Sequence, residues 1–234
     1  MGRTPRPARG VSIELAFRRV DRYNAAMPLS LSAGAKFLFI GDSITDAERG
    51  GGIGHGYVRL VRDYLLAKDP AHAPQVINKG ISGNKVTNLK DRWDTDVIKL
   101  EPDVLSVMIG INDVWHGLRP EWRPGVEIGP FTETYRALLE RVRKELPDCV
   151  LVLMEPTIIS PPAHENGNAP LRPYVDTVHA LGRETQAIVV PLHDVFLDAE
   201  KSRPDVKWTT DGVHPTTSGH MLIARQWLAA TELL

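Results

Sequence analysis

Five short apolar runs, each stopped by a polar or glycine-bearing turn and followed by a helical pattern, constrain this chain most. The runs are Phe37–Ile40, Gln75–Asn78, Asp103–Ile109, Val150–Met154 and Ile188–Leu192. They are too short for buried helices, and the third to fifth are apolar almost throughout, as strands covered on both faces are. Between and after them lie amphipathic stretches at Tyr57–Ala67, Val86–Leu100, Phe131–Leu146, Leu171–Gln186 and Thr216–Leu233. Val86–Leu100 carries its apolar stripe at Leu89, Trp93, Val97 and Leu100 and stops before Pro102. Strand and helix in strict alternation require a parallel sheet with right-handed crossovers and helices on both faces. The fold class is therefore α/β, with a parallel sheet of about five strands in one domain, residues 35–234.

Residues 1–34 do not read as part of that sheet. Met27 leads cleanly into the first strand, so residues 1–26 read as an upstream extension or a start-site artefact. The Arg- and Pro-rich stretch Met1–Val11 lacks the apolar core of a secretory signal. No run is long enough to span a bilayer. With a net charge of −1 over 234 residues there is no basic excess for nucleic acid or an anionic membrane surface. A cytoplasmic protein without nucleic-acid or membrane partners is expected. Cys149, the sole cysteine, opens an apolar run and reads as a small buried hydrophobe.

The first strand delivers Gly41-Asp42-Ser43-Ile44-Thr45. In an open α/β sheet the ligand crevice lies beyond the carboxyl ends of the strands, which is where Ser43 falls. Gly-Asp-Ser alone is ordinary turn chemistry. Thr45 and Asp46 read as helix-starting residues, Asp46 with a possible substrate contact. The glycines from Gly50 to Gly56 lack the spacing of a phosphate loop or a dinucleotide fingerprint and read as a rim loop. The second strand leads to Ile81-Ser82-Gly83-Asn84 and the third to Gly110-Ile111-Asn112-Asp113. Just before the last helix stands Thr210-Asp211-Gly212-Val213-His214-Pro215.

These four turns converge on one chemistry. A serine hydroxyl needs a base to take its proton as it attacks, and a neutral imidazole can serve near neutral pH. A carboxylate three residues before the histidine can hold one ring nitrogen and leave the other for the serine. The tetrahedral intermediate carries an oxyanion, which the backbone N–H groups of Ser43 and Gly83 and the side-chain amide of Asn112 can meet. Asp42 reads as support for the turn. Ile44 borders the acyl group. Trp115, His116, Trp122 and Trp208 lie in loops that suit either packing or the face of a sugar ring. His55, His116, His164 and His220 form no ligand spacing, so no metal and no cofactor are expected.

Gly41-Asp42-Ser43, Gly83, Gly110-Ile111-Asn112-Asp113 and Asp211-Gly212-Val213-His214-Pro215 resemble the four blocks of the SGNH (GDSL) hydrolases. The resemblance runs from about Lys36 to Leu228. It implies a flavodoxin-like three-layer α/β/α sandwich, no metal, and ester hydrolysis through an acyl-serine. Ser43, Gly83, Asn112 and His214 match the four defining residues, with Asp211 as the triad acid. Asn78-Lys79-Gly80-Ile81-Ser82-Gly83-Asn84, Met108-Ile109-Gly110-Ile111-Asn112-Asp113-Val114-Trp115 and Gly219-His220-Met221 are similar to the intracellular acetylxylan esterases of that family. That likeness implies a small-molecule ester substrate, an acetylated xylo-oligosaccharide, and a homo-oligomer. The chain departs from those enzymes in its N-terminal segment, around Thr209-Thr210 and in the Gly50–Gly56 loop. A broad short-chain lipid or aryl esterase, or an acyltransferase, is the alternative on the same residues.

Overall fold

A computed structural model describes Leu29 and residues 32–119, 121 and 123–234. The extension read at residues 1–26 and Trp122 lie outside the described residues. Five parallel strands form one sheet: β1 (Lys36–Gly41), β2 (Gln75–Gly80), β3 (Val104–Met108), β4 (Val150–Met154) and β5 (Ile188–Val190). Their order is β2-β1-β3-β4-β5, the doubly wound arrangement of flavodoxin-like folds. Among the described residues eight α-helices surround it: α1 (Ser43–Asp46), α2 (Tyr57–Lys68), α3 (Val86–Asp96), α4 (Ile111–Trp115), α5 (Ile128–Glu145), α6 (Asn168–Thr185), α7 (His193–Ser202) and α8 (Thr217–Ala230).

The period of two along β1 divides the layers. Phe37 and Phe39 point to one face, where Trp227 of α8 packs with ring centroids 6.2 and 5.3 Å away. Tyr57 of α2 meets Phe39 edge-on at 5.9 Å. The buried Trp227 indole donates to the Ser106 hydroxyl on β3 at 2.9 Å, so its polar end is satisfied inside the core. Helices α3, α5 and α6 pack in sequence to form the other outer layer. Leu38 and Ile40, on the alternate positions of β1, are fully buried.

Several boundaries differ from the sequence reading, each for a physical reason. Helices α5 and α6 start three residues earlier than expected, at Ile128 and Asn168. Pro130 and Pro170 look like stops, yet each falls in a first turn, where the missing N–H has no intrahelical partner to lose. Helix α3 ends at Asp96, and a separate 3-10 turn carries Ile98–Leu100. Helix α7 was not anticipated; its Phe196 is fully buried. Thr45 and Asp46 do not start α1. Its cap is Asp42, and the helix has only four residues because Ala47 turns to φ 40°. Cys149 is buried as expected, and burial pushes its thiol up to about 12.

Candidate active site

The strand order reverses between β1 and β3, and the turns leaving these two strands hold Ser43 and Asn112. Gly41 ends β1 where a Cβ would sit 2.3 Å from the Met108 carbonyl oxygen, so only glycine lets the two strand ends approach this closely. Asp42 then accepts from the Ile44 N–H at 2.9 Å and caps α1. This places the Ser43 hydroxyl, half-buried, 2.9 Å from Nε2 of His214.

Nδ1 of His214 lies 2.7 Å from Oδ2 of Asp211. The other Asp211 oxygen accepts from the backbone N–H groups of His214 at 2.8 Å and Val213 at 3.0 Å. Burial alone would raise the Asp211 carboxyl, but these donors and the His214 ring outweigh it and hold the group below its usual value. An ionised carboxylate can only accept, so in the neutral ring Nδ1 carries the proton and the Nε2 lone pair faces Ser43. The loop that holds Asp211 and His214 is itself fixed. Thr209 and Pro215 form an antiparallel bridge, and the Thr216 hydroxyl caps α8.

Gly83 leaves β2 at φ +79°, in the region that favours glycine, and a Cβ there would meet the Arg123 guanidinium at 3.2 Å. Its turn is tied to the Ser43 turn. Asp46 accepts from the Ser82 N–H at 3.1 Å and the Ser82 hydroxyl at 2.7 Å, and Ile81 donates to the Gly41 carbonyl at 3.1 Å. Asn78 adds a buried tie, donating to the Thr45 and Ile53 carbonyls at 2.7 and 2.8 Å. The latter bond ties the glycine-rich rim loop to β2. Asn112 is buried and donates one amide N–H to the Asn84 carbonyl at 3.1 Å.

The structure thus brings together Ser43, Asp211 and His214, with Gly83 and Asn112 on turns linked to the same edge. Ile44 is buried beside the serine. Trp115 presents its edge to the His214 ring with centroids 5.8 Å apart, and His116 follows it; the two are only 9% and 3% exposed. Trp208 is half-buried and donates its indole N–H to the Arg203 carbonyl. Among the described residues no group of three or more His, Cys, Asp or Glu is placed to hold a metal ion.

Sequence reading missed the buried titratable groups around this edge. Burial raises the Asp42 and Asp113 carboxyls to about 7, with the charge of Asp42 adding to the Asp113 shift. Burial and then the nearby His214 charge lower His220 to about 4; its Nδ1 accepts from the Tyr57 N–H at 3.2 Å. Periodicity signals burial of a position, but not how many acids share one pocket.

The model of the GDSL-like lipase/acylhydrolase family matches residues 39–222. The chain belongs to this family. As a GDSL hydrolase it is a carboxylic ester hydrolase. It is 35% identical over 210 residues to an acetylxylan esterase of Geobacillus stearothermophilus, covering 86% of this chain and 95% of the relative. The crystal structure of that organism's acetylxylan esterase Axe2 superposes with a TM-score of 0.78 at 35% identity, over 87% of this chain and 96% of Axe2. A protein of Parabacteroides merdae described as a GDSL-like lipase superposes at 0.80 with 33% identity, over 89% of this chain and all of the other. Three Axe2 structures are catalytic mutants in which a serine, an aspartate or a histidine is replaced by alanine.

A second histidine–carboxylate pair joins the end of β4 to α6 in this GDSL hydrolase. Glu155 is buried, with Oε1 2.5 Å from Nε2 of His179; its Oε2 accepts from Leu192 and His193 at 2.8 Å and so pins the start of α7. The hydrogen bond to Glu155 raises the His179 pKa above its ordinary 6.5. The stabilisation is complete below that ordinary value and is lost as pH rises through the elevated one. Thermal melts between about pH 5 and 9 should show a fall in Tm on the alkaline side that His179→Gln removes. An unchanged pH profile in the variant would assign the fall to other groups.

Proposed function

We propose that this chain is a serine esterase that removes acetyl groups from carbohydrate esters, acetylated xylo-oligosaccharides foremost, through an acyl-serine at Ser43. The observation that carries the chemistry is the hydrogen-bonded line Ser43–His214–Asp211, at 2.9 and 2.7 Å, at the switch point of the sheet. Support for the substrate comes from the acetylxylan esterase relative.

Ser43 Oγ attacks the ester carbonyl carbon as His214 Nε2 takes its proton. Asp211 holds the tautomer and stabilises the imidazolium. The carbonyl oxygen becomes an oxyanion, met by the N–H groups of Ser43 and Gly83 and the second N–H of the Asn112 amide. Collapse breaks the bond to the sugar oxygen, which leaves with the proton from His214. Water then attacks the acyl-serine and gives His214 a proton. The second collapse releases acetic acid and returns the proton to Ser43. No step calls for a metal or a redox cofactor.

On this reading the acyl group lies beside Ser43, bordered by Ile44, Gly83 and Trp115, where only a methyl group is accommodated. Trp115 and His116, 9% and 3% exposed, offer no ring face to a sugar. The sugar lies on the open side toward Trp208. Discrimination of about 1–3 kcal/mol for each methylene that does not fit gives at least about a tenfold drop in kcat/KM from p-nitrophenyl acetate to butyrate. Values that stay level or rise through octanoate would replace this reading with a lipid or aryl esterase.

A further inference from the structure

One guanidinium bonds directly to the stretches before Ser43 and around Gly83, and reaches the Asn112 amide through Asn84. Arg92, on α3, has a side chain only 13% exposed. Its Nη2 donates to the Gly41 carbonyl at 3.1 Å, two residues before Ser43. Its Nε donates to Oδ1 of Asn84 at 2.9 Å, and Asn84 adjoins Gly83. The backbone carbonyl of that same Asn84 receives the Asn112 amide. Nη1 donates to the Lys79 carbonyl near the end of β2 at 2.7 Å and to Oδ2 of Asp96 at 2.8 Å. Asp96 balances the charge, and its other oxygen pairs with Lys79 Nζ at 3.1 Å.

We propose that Arg92 is a positioning residue for ester hydrolysis, setting the mutual spacing of the Ser43, Gly83 and Asn112 donors. The inference rests on the serine-esterase reading above. The planar fork of the guanidinium fixes the directions of its donors, whereas a lysine ammonium is a single point that cannot span three carbonyl-type oxygens. A donor is useful only where it already points at the oxyanion, and small misplacements there are costly. Gly41 ends β1, whereas Lys79 and Asn84 lie at the end of β2 and in the turn that follows it, and Arg92 gives both stretches one shared reference. Arg92 touches no reacting atom.

The test is Arg92→Lys, with Asn84→Ala as a second variant that removes one handle of the fork and leaves the Asn84 carbonyl in place. Wild-type and Ser43→Ala turnover of p-nitrophenyl acetate first establishes the serine mechanism, independently of Arg92. Active sites are titrated, and kcat, KM and the Ki of methylboronic acid, whose serine adduct places an oxygen among the donors, are then measured. The expected result for Arg92→Lys is a kcat per titrated site lower by about 10–100-fold, KM within about twofold, and boronate binding weakened in parallel. Asn84→Ala should show the same pattern with smaller amplitude, and it decides the matter alone if Arg92→Lys does not fold. Normal kcat and Ki per titrated site, with only a lowered Tm, would make Arg92 a fold-stabilising residue and overturn the proposal. So would a change confined to KM.

Discussion

Ser43→Ala is expected to abolish ester hydrolysis, lowering kcat by roughly four to six orders of magnitude, as removal of a triad nucleophile does. The side chain has one hydrogen bond, to His214, and is half-buried, so its loss leaves little strain behind. Asp42 still caps α1, and Asp211 still holds the His214 ring. Circular dichroism and Tm should therefore match the parent while turnover disappears. A purified, folded variant that retained a tenth of the activity would reject Ser43 as the nucleophile.

Asn112→Ala should lower kcat by about 100–1,000-fold with KM little changed, the usual consequence of losing one oxyanion donor. The amide matters only once negative charge has developed on the substrate oxygen, so ground-state binding does not depend on it. The variant also strips the Asn84 carbonyl of its partner at 3.1 Å. Asn112→Asp separates the two effects. It keeps the shape, removes the donors and adds an acceptor beside the developing oxyanion, so it should be at least as inactive as the alanine variant. A defect seen only in KM would assign Asn112 to substrate binding instead.

The fold and the hydrogen-bonded line Ser43–His214–Asp211 were legible because both are written in local patterns. Apolar runs broken by Gly41, Gly80 and Gly110 marked three strand ends, and a parallel sheet places such ends on one edge. The three-residue spacing of Asp211 and His214 gave their hydrogen bond. Arg92 was not legible. It lies on a stretch whose apolar positions drew attention to Leu89 and Trp93, and the oxygens it gathers belong to segments 8 to 51 residues away. Convergence of that kind is a property of the folded backbone. Pro130 and Pro170 misled for the opposite reason: a local rule about proline depends on where the helix starts, which packing of α5 and α6 decides. The raised carboxyls of Asp42 and Asp113 follow from burial beside each other, which neither dipeptide reveals.

The distance along the chain between the hydroxyl and its base has a consequence for biosynthesis. Ser43 and His214 are 171 residues apart. A chain growing from its N-terminus presents Ser43 on its turn, and then the Gly83 and Asn112 turns, well before His214 has been translated. Only when the segment carrying Asp211 and His214 has emerged, and α8 has closed Trp227 over Phe37 and Phe39, does the hydroxyl acquire a proton acceptor. On the serine-esterase reading proposed above, the nascent polypeptide is hydrolytically silent until this segment docks, and turnover reports completion of the fold rather than formation of its sheet.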